Sequence, residues 1–225
     1  MNFLVITAQQ LPGIFKQLGA GMVTTVEIFV LTLVLSLPLG LVIAFGRMSK
    51  NPIIRAITKV YISIMRGTPL MLQLLVVYFG PNLIFGLTIS SDYRFPATII
   101  AFVVNYAAYF AEIYRGGIES MEKGQYEAAQ ILGFSKSKTF VRIILPQVLK
   151  RVLPSITNEA ITLVKDTSLA FAISVTEMFT IAQRIASAKS SMIPYAAAAL
   201  FYYIFNYAVA FAMERIEKKF DYYKS

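Results

Sequence analysis

The chain contains no cysteine and no histidine. Without cysteine there is no disulfide, thiolate zinc site, iron–sulfur cluster or thiol nucleophile. Without histidine the commonest metal ligand and the commonest general base near neutral pH are missing. Charge is scarce too: 15% of the 225 residues are Asp, Glu, Lys or Arg, against about a quarter in soluble domains. What is present is apolar, at 57% hydrophobic residues and a mean hydropathy of +0.64. These proportions exclude a soluble globular enzyme, a disordered chain and a disulfide-stapled secreted module. The few charges are unbalanced, 21 Lys and Arg against 12 Asp and Glu, a net +9. In a membrane chain that surplus first reads as topology.

Apolar runs reach the roughly 20 residues that cross a bilayer. The first runs from Val23 to Gly46, and the residues before it lack the pattern of a cleaved signal. A second lies between Val60 and Phe79, interrupted by Arg66-Gly67-Thr68-Pro69. The third is Phe95 to Tyr114, a mixed region covers Ile143 to Thr180, and the last is Ile193 to Met213. The expectation is an all-α membrane protein with about five transmembrane helices. Thirteen Lys and Arg fall in the loop after the first run, in the block from Arg115 to Arg142 and in the tail; four fall on the other side. The positive-inside rule then puts the N-terminus outside and the C-terminus in the cytoplasm. Arg66, Lys150, Arg151 and Lys165 are left out of that tally. Tyr222 and Tyr223 are expected at an interface, as is the carboxylate of Glu177. One membrane domain is expected over 1–225, with a core of about 19–215.

The polar block is patterned. Gly124 to Gly133 reads as a short helix with small residues on one face and a glycine stop. Ile131, Leu132 and Phe134 are apolar where a solvated linker needs none. Glu127-Ala128-Ala129, three residues, Gly133, nine residues, Ile143, one residue, then Leu145-Pro146 resembles the EAA loop of ATP-binding-cassette importer permeases. Ala108 to Ile118, Arg66-Gly67-Thr68-Pro69, Asn158-Glu159 and Lys165 to Leu169 resemble the polar amino acid subfamily. The resemblance runs from roughly Gly19 to the C-terminus. It implies a MetI-like fold and a cytoplasmic loop, about 115–146, whose helix seats in an ATPase and couples it to the spans. The coupling residues would be Glu127, Ala128, Ala129, Gly133, Leu145 and Pro146.

Glu159 and Asp166 are seven residues apart, about two helical turns, so they share a face. Two carboxylates there repel and lose hydration unless a cation lies between them. A substrate ammonium or guanidinium is one such cation; Lys165, Arg151 and Arg66 are internal alternatives. The resemblance adds that these two positions line the substrate cavity. In the broken second run, Gly67 lets a ligand approach the backbone, Thr68 offers a hydroxyl donor and Gln73 lies about a turn on; all three are candidate substrate contacts. Backbone N–H groups at such a break commonly face a substrate carboxylate. Glu112 and Arg115, three apart, are expected to form a structural brace with Arg66. Thr167 and Ser168 are expected to hydrogen-bond backbone.

No G-x-x-x-x-G-K-[ST] occurs, so the chain carries no Walker A loop. The resemblance therefore implies a transport subunit with no catalytic residue, no metal and no cofactor of its own, ATP and Mg²⁺ being bound by a partner ATPase dimer. Further implied partners are an extracytoplasmic amino-acid-binding protein and a second permease, identical or paralogous, in the bacterial inner membrane; no nucleic acid is implied. The expected substrate is a cationic amino acid (arginine, lysine or histidine), with cystine or glutamine as the alternative. An ion-coupled secondary transporter is the reading from another class, since Glu159 and Asp166 also suit an ion.

Overall fold

The first apolar run lies inside one helix, α1 (Leu11–Arg47), in a computed structural model that describes residues 10–220. The helix begins well ahead of Val23. Its first turns carry Ile14 and Leu18, both buried with Met178, Ala182, Ala197 and Ala198. Tertiary packing, not apolar length, decides where it starts. Pro12 sits in the first helical turn, where a missing N–H costs nothing.

The second run is two helices. In α2 (Pro52–Gly67), the Asn51 side chain accepts hydrogen bonds from the N–H groups of Ile53 and Ile54 and starts the helix. Pro69 forces Thr68 into an extended conformation (φ −123°, ψ 147°) and so ends it. The chain restarts as α3 (Leu70–Phe85), and the two axes are bent by 109°. The interruption is thus a full break, sharper than the kink a lone proline makes.

After a 3₁₀ turn come α4 (Arg94–Glu119), α5 (Lys123–Ile131) and the single turn α6 (Lys136–Thr139). A π turn, Phe140–Ile144, leads into α7 (Leu145–Asp166), continued by a 3₁₀ stretch, Thr167–Ile173. Then come α8 (Met178–Lys189) and α9 (Ile193–Phe220). Among the described residues three stretches, α1, 91–119 and the last helix, are long and apolar enough to cross a membrane. Counting the bent pair α2–α3, and the pair of Lys136–Ile173 with α8 (bent by 57°), gives up to five. Ile143 to Thr180 is therefore not one straight span, because the backbone tightens at Thr167 and turns at Ser174, which has φ 59°. Tyr222, Tyr223 and Lys224 lie outside the described residues.

The core forms where α1, α4 and α7 meet, around Ile28, Phe102, Phe110, Ile144, Leu163 and Val164. Helices α1 and α4 run side by side at close range. A Cβ on Gly40 would lie 2.8 Å from Cβ of Phe110 and 3.0 Å from the Ala107 carbonyl oxygen. Gly40→Val is expected to cost about 1–3 kcal/mol by overpacking. The check is a lowered melting temperature of the detergent-purified protein, with Gly13→Ala as control, since a Cβ there meets nothing within 4 Å.

Candidate functional site

Four elements enclose a cavity of about 270 Å³ between the α2–α3 break, α4, α7 and the 3₁₀ stretch. Thr68, Asn105, Tyr106, Tyr109, Glu159, Thr162 and Asp166 supply its polar lining. Helix α7 rises through the core with Val152, Ile156, Ala160 and Leu163 buried, and Glu159 and Asp166 lie at the edge of that same face, one turn from Ile156 and Leu163. The structure thus brings together three residues singled out from sequence: Thr68, Glu159 and Asp166.

The two carboxylates are not equivalent. Tyr106, only 2% exposed, donates its hydroxyl to Asp166 Oδ2 at 2.7 Å. Among the described residues Glu159 makes no hydrogen bond and no ion pair. None of the three internal cations considered pairs with either carboxylate. Lys165 lines a separate crevice with Ser168, Tyr202, Tyr203 and Asn206. Arg151 Nη1 donates to the Ser120 carbonyl at 2.8 Å and to its hydroxyl at 2.9 Å. Arg66 reaches Glu112 at 3.9 Å and lies over the Tyr109 ring, 5.2 Å from its centre.

The break has its own polar network. The Thr68 hydroxyl donates to the Ile64 carbonyl at 2.8 Å. Its proton is therefore committed, and a ligand meets it only as an acceptor, not as the donor expected. Gln73 does not line the cavity. Its Nε2 is within donating distance of the Met65 carbonyl (3.0 Å), the Thr68 carbonyl (3.1 Å) and the Thr68 hydroxyl (2.8 Å). Its Oε1 accepts from Asn105 Nδ2 at 3.0 Å. Gly67 is exposed, also outside the lining, with open space where a Cβ would be.

Toward the end of the bundle that carries most of the Lys and Arg, Glu112 forms the expected brace with Arg115 (2.6 Å) and Arg66, joined by Arg47 of α1 at 3.9 Å. Arg115 also holds Glu119 at 2.5 Å. One carboxylate on α4 thereby ties α1 and α2 together. Below it, α5 ends in a Schellman motif: Phe134 N–H donates to the Ala129 carbonyl and Gly133 N–H to the Gln130 carbonyl, each at 3.0 Å. That closure needs the left-handed backbone Gly133 adopts, φ 77°. Ala129 is buried, while Glu127, Ala128, Ile131 and Leu132 face outward. Gln125 and Gln147 exchange two hydrogen bonds, 3.0 and 2.8 Å, and so fasten α5 to α7. Leu145 and Pro146 open α7 and are not part of the short helix.

One expectation about a side chain changes and another holds. Glu177 is fully buried, not interfacial, because its carboxylate caps α8. It accepts from Phe179 N–H at 2.7 Å, Thr180 N–H at 2.6 Å, the Thr180 hydroxyl at 2.8 Å and the Tyr202 hydroxyl at 3.2 Å. Thr167 and Ser168 do bond backbone, to the carbonyls of Val164 and Lys165, both at 2.7 Å.

Residues 36–222 match the family model described as binding-protein-dependent transport system inner membrane component. The chain belongs to that family. Its curated relatives place this permease in the amino acid branch of the ATP-binding-cassette transporters. It is 36% identical to the L-cystine transport system permease protein TcyB of Bacillus subtilis (strain 168), over 92% of this chain and 87% of that protein. It is 35% identical to the arginine transport system permease protein ArtQ of the same organism, over 95% and 94%. A putative glutamine transport system permease protein GlnP of Rickettsia typhi (strain ATCC VR-144 / Wilmington) shares 34%, over 88% and 90%. A crystal structure of an amino acid ABC transporter with histidines superposes with a TM-score of 0.86 at 29% identity, covering 96% of this chain and all of that one. The inward-facing MetNI methionine ABC transporter gives a TM-score of 0.71 at 18% identity, over 96% and 99%, and shares the fold. The permease is a multi-pass component of the bacterial inner membrane and a transport subunit, not an enzyme.

Proposed function

We propose that this permease imports a polar amino acid by alternating access, with the cavity between α3, α4 and α7 as its substrate site. The observation that carries the reading is Glu159: an unpaired carboxylate on a polar wall inside the apolar part of the protein. Intramembrane carboxylates are held by functional partners, and an ammonium group is the partner every amino acid brings. The substrate carboxylate has a complementary place at the start of α3. Pro69 leaves that helix without a side-chain cap, and Thr68, Pro69 and Leu70 line the cavity. An uncapped helix N-terminus attracts anions.

A cationic amino acid is the preferred substrate, since Asp166 lies in the same cavity as Glu159 and a guanidinium, ammonium or imidazolium group can draw on both. Cystine is the second reading, favoured by the cystine permeases TcyB and TcyL among the relatives, at 36% and 40% identity. Glutamine is a third, on the strength of relatives named for it. The test is ATPase activity of the reconstituted transporter across the amino acids. Stimulation by arginine, lysine or histidine is expected. Stimulation by cystine or glutamine alone would move the assignment to that substrate, and none by any amino acid would remove it.

The remaining parts follow the same reading. The Lys- and Arg-rich end is cytoplasmic, the first residues face outward, and the whole chain is one permease domain. Residues Glu127 to Gly133 seat in a separate ATPase that binds ATP and Mg²⁺, with Leu145 and Pro146 passing the motion into α7. A binding protein delivers substrate from outside, and a second permease, identical or paralogous, completes the pathway.

A further inference from the structure

Helix α2 ends in front of a proline, and that leaves one carbonyl without its natural donor. In a continuous helix the Met65 carbonyl would accept from the N–H of residue 69, but Pro69 has none. Two amide side chains from different helices take its place. Asn105 Nδ2, on α4, and Gln73 Nε2, on α3, each lie 3.0 Å from the Met65 oxygen. The two amides also bond each other, Asn105 Nδ2 to Gln73 Oε1 at 3.0 Å, and Gln73 reaches on to both oxygens of Thr68. Asn105 is 4% exposed. Nothing about this polar cluster is required by helix formation alone; it exists to hold a broken backbone against a third helix.

We propose that Asn105 and Gln73 are positioning residues for transport: an amide clamp that fixes the α2–α3 break and so sets the affinity of the cavity. The inference rests on the reading of that cavity as the substrate site. Thr68 and Pro69 form one wall of it, Asn105 lines it beside them with its amide turned to the break, and the adjacent Tyr106 grips Asp166 on the opposite wall. Adjacent residues of α4 therefore hold both walls, and the distance between walls depends on each grip. Fourteen residues further along, α4 ends at Glu119, just ahead of the α5 loop, so a shift of α4 along its axis carries both grips with it.

Gln73 therefore works behind the wall and does not touch the substrate. The clamp also explains why an amide is needed at 73 and not a carboxylate. Gln73 must donate to carbonyls on one side and accept from Asn105 on the other, and an ionised glutamate has no donor.

The test uses the transporter reconstituted with its ATPase, with arginine, cystine and glutamine as probes. Asn105→Ala and Gln73→Ala should each raise the half-saturating concentration for stimulation about tenfold, as loss of a buried hydrogen-bond partner does. The maximal stimulated rate should stay within about twofold. Gln73→Glu should match Gln73→Ala, and the double alanine variant should be no worse than either single one, because the residues act as a unit. Backbone amide exchange over residues 62–74, measured without any substrate, should speed up in both variants and stay unchanged in α4. Unchanged exchange at the break, or additive losses, would overturn the clamp. A fall in maximal rate at constant half-saturation would show a structural role and overturn it as well. Glu159→Gln is run alongside: if it leaves half-saturation untouched while Asn105→Ala still speeds exchange, the substrate cavity is misassigned and the clamp itself stands.

Discussion

Glu159→Gln should abolish amino-acid-stimulated ATPase activity in the reconstituted transporter while the complex assembles normally. The size of the effect follows from where the carboxylate sits. It lies half-buried in a cavity lined by protein, where a charge interaction is worth more than in solution. Among the described residues Glu159 has no ion pair or hydrogen bond to lose, so its substitution breaks no direct contact within the protein. The loss then falls on the ligand, at least a hundredfold in half-saturating concentration if a fully desolvated charge pair is broken. Asp166→Asn is expected to behave differently. Its Oδ2 accepts from Tyr106 at 2.7 Å, so the substitution also loosens a protein–protein contact and should lower thermal stability alongside stimulation. A Glu159→Gln transporter still stimulated at wild-type concentrations would remove the substrate site from this cavity. Retained uptake that collapses with an uncoupler while ATP persists would instead favour an ion-coupled carrier.

Gly133→Val should release the ATPase from detergent-purified complex. Gly133 occupies the left-handed position of the Schellman closure at the end of α5, with φ 77°. A β-branched residue is a genuine outlier there, and the conformation costs roughly 1–2 kcal/mol for any L-residue. The cost itself is modest, but α5 is nine residues long and marginal without its closure. Loss of the closure reorients Ile131 and Leu132, which are 86% and 73% exposed and, in the proposed reading, meet the ATPase. Gly133→Asn tests the mechanism, because asparagine tolerates the left-handed region. It should retain most of the ATPase. Co-purification of the two subunits is the measurement; equal retention by both variants would show that the turn is dispensable.

Much of the site was legible because its logic is local. Seven-residue spacing on a helix is enough to put Glu159 and Asp166 on one face, and the charge pattern of Glu112 and Arg115 is enough to pair them. The glycine ending α5 was readable as a stop for the same reason. What escaped depends on partners far along the chain. Tyr106 reaches Asp166 across 60 positions, and in the sequence it is one aromatic among many. Gln73 was placed at the right turn, but its hydrogen bond to the Met65 carbonyl, eight residues earlier and orphaned by Pro69, was not foreseen. Glu177 carried a usable signal: an acidic residue just ahead of a helix start, with Thr180 three residues on. Its reading as interfacial failed because burial there is made by α1 and α9, which no local pattern announces. The start of α1 was missed likewise, its first turns being held by α8 and α9.

The length of α1 has a consequence of its own. At 37 residues it measures about 55 Å, against about 30 Å for the hydrocarbon layer of a bilayer. At the end away from Arg47, Ile14 and Leu18 are buried against α8 and α9. Among the described residues that surface is a ledge of packed helices. A protein landing there meets a shape already formed, so little ordering entropy is spent on contact. Brief, repeated encounters, as delivery of a small molecule demands, are served better by such a fixed surface than by one that must fold around each visitor.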